Sequence, residues 1–182
     1  MLVKEIVALA AANMGREDLI AEINDLAGEP TGELDSLLRC YNLVENEIAL
    51  DYFPLKKQES FSAAGGRIFY TQFSCAPVDI KKVAADDGRP LPFEIYPEYV
   101  AVAGGEVTVT YTYSPAEKKW GDESEFSGKI SDRLISYGVA CEFCLSRGMF
   151  SQAAMWEKKY RDALRAANVI RRKLSVRSRR WV

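Results

Sequence analysis

The chain has 182 residues, 48% of them apolar and 27% charged, which is enough for one sizeable core or two small ones. It contains no histidine, which removes the commonest general base, the commonest metal ligand and any imidazole pH switch. The net charge of −2 hides a segregation: ten acidic residues against one basic (Arg39) from Glu17 to Asp51, and ten basic against two acidic from Glu157 to Val182. Such a split implies attraction between copies end to end, a tail meant for a partner, or two solvated helix faces.

Cys40, Cys75, Cys141 and Cys144 are too sparse for a secreted disulfide framework in a chain this long, so a reducing interior is expected. The opening MLVKEIVALAAANMG is interrupted by Lys4 and Glu5 and is too short and amphipathic for a signal peptide. No apolar stretch approaches the roughly 20 residues that cross a bilayer. A soluble protein made inside the cell is expected.

In chain order, Val3, Ile6, Val7 and Ala10 line one face of a short helix that Gly15 is placed to stop. Leu19, Ile20, Ile23 and Leu26 mark a second helix, ended by Gly28 and set apart from the next by Pro30. Leu34, Leu37, Leu38, Tyr41, Val44, Ile48 and Tyr52 hold helical spacing until Pro54 ends the third. Such helices are marginal alone, so they are expected to pack on helices from the other end of the chain.

From Lys56 to Ser114 the period becomes alternating. Glu106–Tyr113 sets Val107, Val109, Tyr111 and Tyr113 on one side and Thr108, Thr110 and Thr112 on the other, a half-buried strand. Gly104-Gly105 reads as a hairpin turn from a strand containing Tyr99–Ala103, and Asp87-Gly88 as a turn between Ile80–Ala85 and Leu91–Tyr96. Arg67–Phe73, after Gly65-Gly66, is a further strand; Pro77, Pro90, Pro92 and Pro97 imply short edges. One small antiparallel sheet, packed on one face and wet on the other, is predicted. Ser114–Ile130, with Pro115, Gly121, Gly128 and little periodicity, is expected to be a mobile crossover.

The last stretch, Ser131 to Val182, carries the most information. Ser131 is a natural N-cap and Asp132 suits the positive end of a helix. Leu134, Tyr137, Gly138, Cys141, Cys144 and Leu145 then recur as one buried face, and the pattern breaks at Arg147-Gly148. Ser151 is placed to cap a second helix with the stripe Ala153, Trp156, Tyr160, Ala163, Leu164, Ala167 and Ile170. So short a break implies antiparallel neighbours. Beyond Asp162 there is no acidic residue, and the chain closes on Arg171, Arg172, Lys173, Arg177, Arg179, Arg180 and Trp181.

Chemistry is scarce. Cys141-Glu142-Phe143-Cys144 has the spacing of redox and zinc pairs, but both thiols fall mid-helix on the apolar face; zinc would also need Cys40 and Cys75. Core packing is the reading that fits. Gly65-Gly66 and Gly104-Gly105 lack the lysine and helix start of a phosphate cradle. Glu17, Asp18, Glu22 and Asp25 read as a solvated helix face, and no nucleophile has a recognisable setting. Neither an enzyme nor a bound cofactor is expected. The tail suits a protein interface, with guanidinium forks and a large ring, or phosphates with Trp181 stacking on a base, or it is idle.

The helix carrying DRLISYGVACEFCL, a glycine break, AAMWEKKYRDAL and clustered arginines ending in RRW resembles tailed-bacteriophage head–tail adaptor (connector) proteins. The members in question pair a helical bundle with an inserted β domain, as in the podophage tail-tubular-protein-A type. The resemblance implies an α+β fold with N-terminal helices at 1–55, an inserted β domain at 56–114, a linker loop at 115–130, a helical hairpin at 131–173 and a basic tail at 174–182. It implies a virion protein of a phage or prophage, in a ring, typically a dodecamer, that sits under the portal protein and extends the DNA channel. Portal binding would fall to Arg171, Arg172, Lys173, Arg177, Arg179, Arg180 and Trp181. Glu17, Asp18, Glu22, Asp25, Glu45 and Glu47 would make a subunit contact or a channel lining past which DNA slides unread. The β domain would meet the tail nozzle or a neighbouring subunit. The alternative is a small nucleic-acid-binding module that uses the same tail.

Overall fold

A computed structural model describes residues 1–25, 28, 30–128 and 130–171, without the side chains of residues 64 and 169–171. The chain is α+β, with helices at both ends and antiparallel strands in the middle. It divides into two compact units: Met1–Val44 with the described residues from Lys118 onward, and Glu45–Glu117.

The helical unit contains α1 (Val3–Asn13), α2 (Glu17–Asp25), α3 (Gly32–Glu47) as far as Val44, α4 (Asp132–Ser146) and α5 (Phe150–Arg171). Ser131 caps α4, its hydroxyl accepting from the Arg133 amide at 3.3 Å. That helix is the centre of the unit. Besides Leu134, Gly138, Cys141 and Cys144 it buries Ile135, Val139 and Phe143, so it is apolar on most sides rather than along one stripe. Leu145, predicted on the buried face, is 43% exposed one residue before the helix ends, although Phe143 and Cys144 in the same turn are buried. Gly148 turns the chain at φ +71°, where a Cβ would be strained. Helix α5 begins at Phe150, so Ser151 lies inside its first turn rather than before it. Ala153, Trp156, Tyr160 and Leu164 are buried as a 3.6-period stripe, each large side chain contributing about 1.5–3 kcal/mol.

The crossover is packed rather than loose. Trp120, Phe126 and Ile130 are buried, Leu2 bridges Glu123, and the Val3 amide donates to the Asp122 carbonyl at 2.9 Å. Asn42 clasps the Lys118 backbone from both sides, accepting from its amide at 2.7 Å and donating to its carbonyl at 3.1 Å. Isolated glycines and acids carry no period, so the anchoring Trp120 and Phe126 do not stand out in the sequence.

In the second unit, α3 loosens into a π turn, Ile48–Tyr52, where the Phe53 amide donates to the Ile48 carbonyl at 2.7 Å before Pro54 ends the helix. Strands β1 (Leu55–Ala63), β7 (Gly105–Tyr113), β3 (Pro77–Ala85) and β4 (Pro90–Leu91) form one antiparallel sheet in the order β1-β7-β3-β4. Strands β2 (Arg67–Phe69), β6 (Tyr99–Val102) and β5 (Phe93–Ile95) form another, in the order β2-β6-β5. The single predicted sheet is therefore two.

The Asp87-Gly88 turn is as read, with Gly88 at φ +82° and its amide on the Ala85 carbonyl at 2.8 Å. Gly104-Gly105, by contrast, is a corner between sheets and not a hairpin, since β7 pairs with β1 and β3 while β6 pairs with β2 and β5. The strand predicted over Arg67–Phe73 stops at Phe69, where Tyr70–Gln72 coil into a 3-10 turn that swings Phe73 into the core. Pro92, with no amide to donate, splits the Leu91–Tyr96 run between the sheets. Phe73 meets Tyr111 edge to face at 4.9 Å, and Ile68, Val83, Val100, Val107 and Val109 complete this core.

Candidate interaction surfaces

Helix α2 is amphipathic: Leu19 and Ile23 are buried, leaving Glu17, Asp18, Glu22 and Asp25 exposed along its outer face. Arg16 grips Asp18 at 2.6 Å, which holds that carboxyl below its usual range, and reaches Glu33 at 2.5 Å. Glu33 accepts from Arg147 on its other oxygen at 3.1 Å, tying the α1–α2 turn, α3 and the α4–α5 turn together. The other two predicted acids do not join this face. Glu45 is only 1% exposed and belongs to the β unit, as does the half-buried Glu47. Acid content alone does not reveal that Glu45 is buried.

Of the basic set, Arg171 ends α5 with its side chain outside the described residues, as are Arg172, Lys173, Arg177, Arg179, Arg180 and Trp181. The described part of the basic segment exposes Lys158, Lys159, Arg161 and Arg165. Arg161 pairs with Glu157 at 2.5 Å and Arg165 with Asp162 at 3.4 Å, one turn apart. Lys159 lies over the Trp156 ring at 4.1 Å, so its stem covers the stripe while its charge meets water. At the turn end of the hairpin, apolar side chains are exposed: Leu145 (43%), Phe150 (70%) and Met155 (47%).

The thiols of Cys141 and Cys144 are core groups. The first donates to the Ala153 carbonyl at 3.6 Å; the second lies 3.8 Å from the Met14 sulfur and is pushed up by burial. Burial likewise lifts Cys40 to about 11. Among the described residues no three His, Cys, Asp or Glu side chains are grouped to hold a metal, and no helix is long and apolar enough to cross a membrane.

Three features of the β unit have no simple sequence signal. A depression of about 150 Å³ is lined by Leu50, Pro54, Val78, Asp79, Lys81 and Tyr113. On the smaller sheet, Arg67 lies over Tyr99 at 4.9 Å and Tyr99 stacks on Tyr96 at 4.8 Å, with Phe69 5.8 Å from Tyr99. The third is a polar cluster on the packed face of β1. Glu59 accepts from the Ser74 hydroxyl and amide, from the Tyr111 hydroxyl at 3.0 Å and from Lys57 at 3.1 Å. Burial opposes the charge, but these four donors outweigh it and hold the Glu59 carboxyl down at about 2. Lys57 in turn lies 2.5 Å from the Ser74 hydroxyl and 3.5 Å from the half-buried Cys75 sulfur.

Compared with known proteins, the chain matches no protein-family model, and no curated protein matches it.

Proposed function

We propose that this chain is a structural protein of a tailed-phage virion, a head–tail adaptor that assembles as a ring beneath the portal, continues the DNA channel and offers a docking face to the tail. One observation carries the reading: helices from both ends of the chain build one compact unit and the intervening Glu45–Glu117 builds a second, the organisation that the resemblance of Ser131–Val182 implies. Portal engagement falls to the basic segment from Arg171 to Trp181. The exposed carboxylates Glu17, Asp18, Glu22 and Asp25 face a neighbouring subunit or the channel, where their charge keeps DNA sliding. The β unit faces the tail nozzle or the next subunit.

The test is to mix the purified protein with the portal of the same phage and image the mixture by negative-stain electron microscopy. A second ring stacked under the portal, lost on deletion of Leu174–Val182, is the expected result. Bare portals at high protein concentration overturn the proposal. Tight binding to duplex DNA in that case, with a log–log salt slope of about −5 from six neutralised phosphates, identifies a nucleic-acid-binding module instead.

A further inference from the structure

We infer that Lys57 and Cys75 are a modification site, at which hydrogen peroxide converts the pair into a covalent nitrogen–sulfur cross-link between β1 and the turn that leads into β3. The inference is independent of the adaptor reading. It starts from the contrast among the four thiols. Cys40, Cys141 and Cys144 are 4%, 6% and 0% exposed, whereas Cys75 is half-buried and open to small solutes. Among the described residues, it alone has a lysine nitrogen at 3.5 Å. A thiol of that kind, partly exposed and beside a cation, is the one a peroxide attacks.

The geometry explains why the two groups meet. Lys57 pairs with Tyr111 across the β1–β7 ladder, so its side chain rises from the packed face rather than the wet one. Glu59, two residues on and on the same face, gathers the Ser74 amide and hydroxyl, and this sets Cys75 beside Lys57. The Lys57 side chain is 38% exposed, and its ammonium is held by Glu59 at 3.1 Å and Ser74 at 2.5 Å, so its position is fixed without being sealed off.

The chemistry balances in two steps. The thiol releases its proton and attacks one peroxide oxygen as the thiolate; the leaving hydroxide takes up a proton, giving the sulfenic acid and water, and the two electrons that sulfur loses go to the breaking O–O bond. The Glu59 contact favours the charged lysine, so the fraction of Lys57 that has released a proton directly to water attacks the sulfur. An N–S bond forms, the S–O bond breaks, and the hydroxide leaves as water with a second proton from the nitrogen. Thiol, peroxide and ammonium thus yield the sulfenamide, two waters and one proton. A second thiol reverses the link by attack at sulfur.

The full-length protein, folded at neutral pH, is treated with a small molar excess of hydrogen peroxide and its intact mass is read before and after added dithiothreitol. A product about 2 Da lighter, joining the peptides that contain residues 57 and 75 and restored by the reductant, is expected from the lost hydrogens. Lys57→Arg keeps the charge but lacks the nucleophilic amine, and should instead accumulate a sulfenic acid that dimedone traps at Cys75. Wild type and Lys57→Arg giving the same oxidised masses and the same dimedone adduct would overturn the inference, as would oxidation of Cys40, Cys141 or Cys144 ahead of Cys75.

Discussion

Gly138 offers the sharpest test of how the helical unit is packed. A Cβ built there would lie 2.6 and 3.2 Å from the two methyls of Val44 on α3, and 3.0 Å from the Tyr160 ring on α5, so α4 is pinched between two neighbours at this residue. Replacing a helical glycine by alanine ordinarily gains about 1 kcal/mol. Here the new methyl has nowhere to go. Val44 is fully buried and β-branched, with one favoured rotamer, and overpacking of this kind costs about 1–3 kcal/mol. A 2.6 Å approach to a buried methyl puts the cost in the upper part of that range, about 2–3 kcal/mol, so after the helix-propensity gain Gly138→Ala should destabilise the unit by about 1–2 kcal/mol, which in a chain of this size lowers the melting temperature by roughly 3–6 °C. Tryptophan emission isolates the effect, because Trp120 and Trp156 are buried in the helical unit and the stretch 45–117 contains no tryptophan. Val44→Ala alone loses buried methyls and costs about 1–2 kcal/mol. Combined with Gly138→Ala it frees the space the new methyl needs, so the double variant should lose less than the sum by about 1 kcal/mol. An alanine at 138 that leaves the urea midpoint unchanged or raised, or strict additivity in the cycle, would refute the pinch.

Other consequences can be measured alongside. Glu59 titrates near 2 in the folded protein against an ordinary 4.5, so its stabilising contribution is full above about 4.5 and disappears as pH falls towards 2. Thermal melts of the β unit followed by tyrosine near-UV dichroism should fall across that window in the wild type and stay flatter in Glu59→Gln. Glu33→Ala removes the contacts to Arg16 and Arg147, each about a third exposed, and should cost about 0.5–1 kcal/mol at low salt and little at 1 M salt. A chromogenic disulfide at pH 8 should titrate Cys75 quickly in the native protein and all four thiols only in urea, since burial covers the other three and lifts Cys40 to about 11. Residues 45–117, expressed alone, should melt cooperatively, because Ile68, Phe73, Val100, Val109 and Tyr111 form a core drawn wholly from that stretch.

What could be read from the sequence followed the range of the interactions involved. The stripe Ala153, Trp156, Tyr160 and Leu164 is legible because a helix places i, i+3, i+7 and i+11 on one side whatever it packs against. The alternation of Glu106–Tyr113 likewise marks a strand and its two faces, but it carries nothing about partners. Those turn out to be β1, which starts fifty residues earlier, and β3, not the adjacent β6. Strand β1 itself is hidden by composition. LKKQESFSA looks like a solvated stretch because Lys56, Gln58, Ser60 and Ser62 point to water, while two charged side chains, Lys57 and Glu59, occupy the packed face where apolar residues are expected. Their place there is stable only because Ser74, Cys75 and Tyr111 arrive from other parts of the chain to surround them. Inward-facing charge of this sort breaks the apolar alternation on which strand recognition depends. The same departure that hides β1 therefore also hides the polar cluster, and only the folded pairing of β1 with β7 brings either into view.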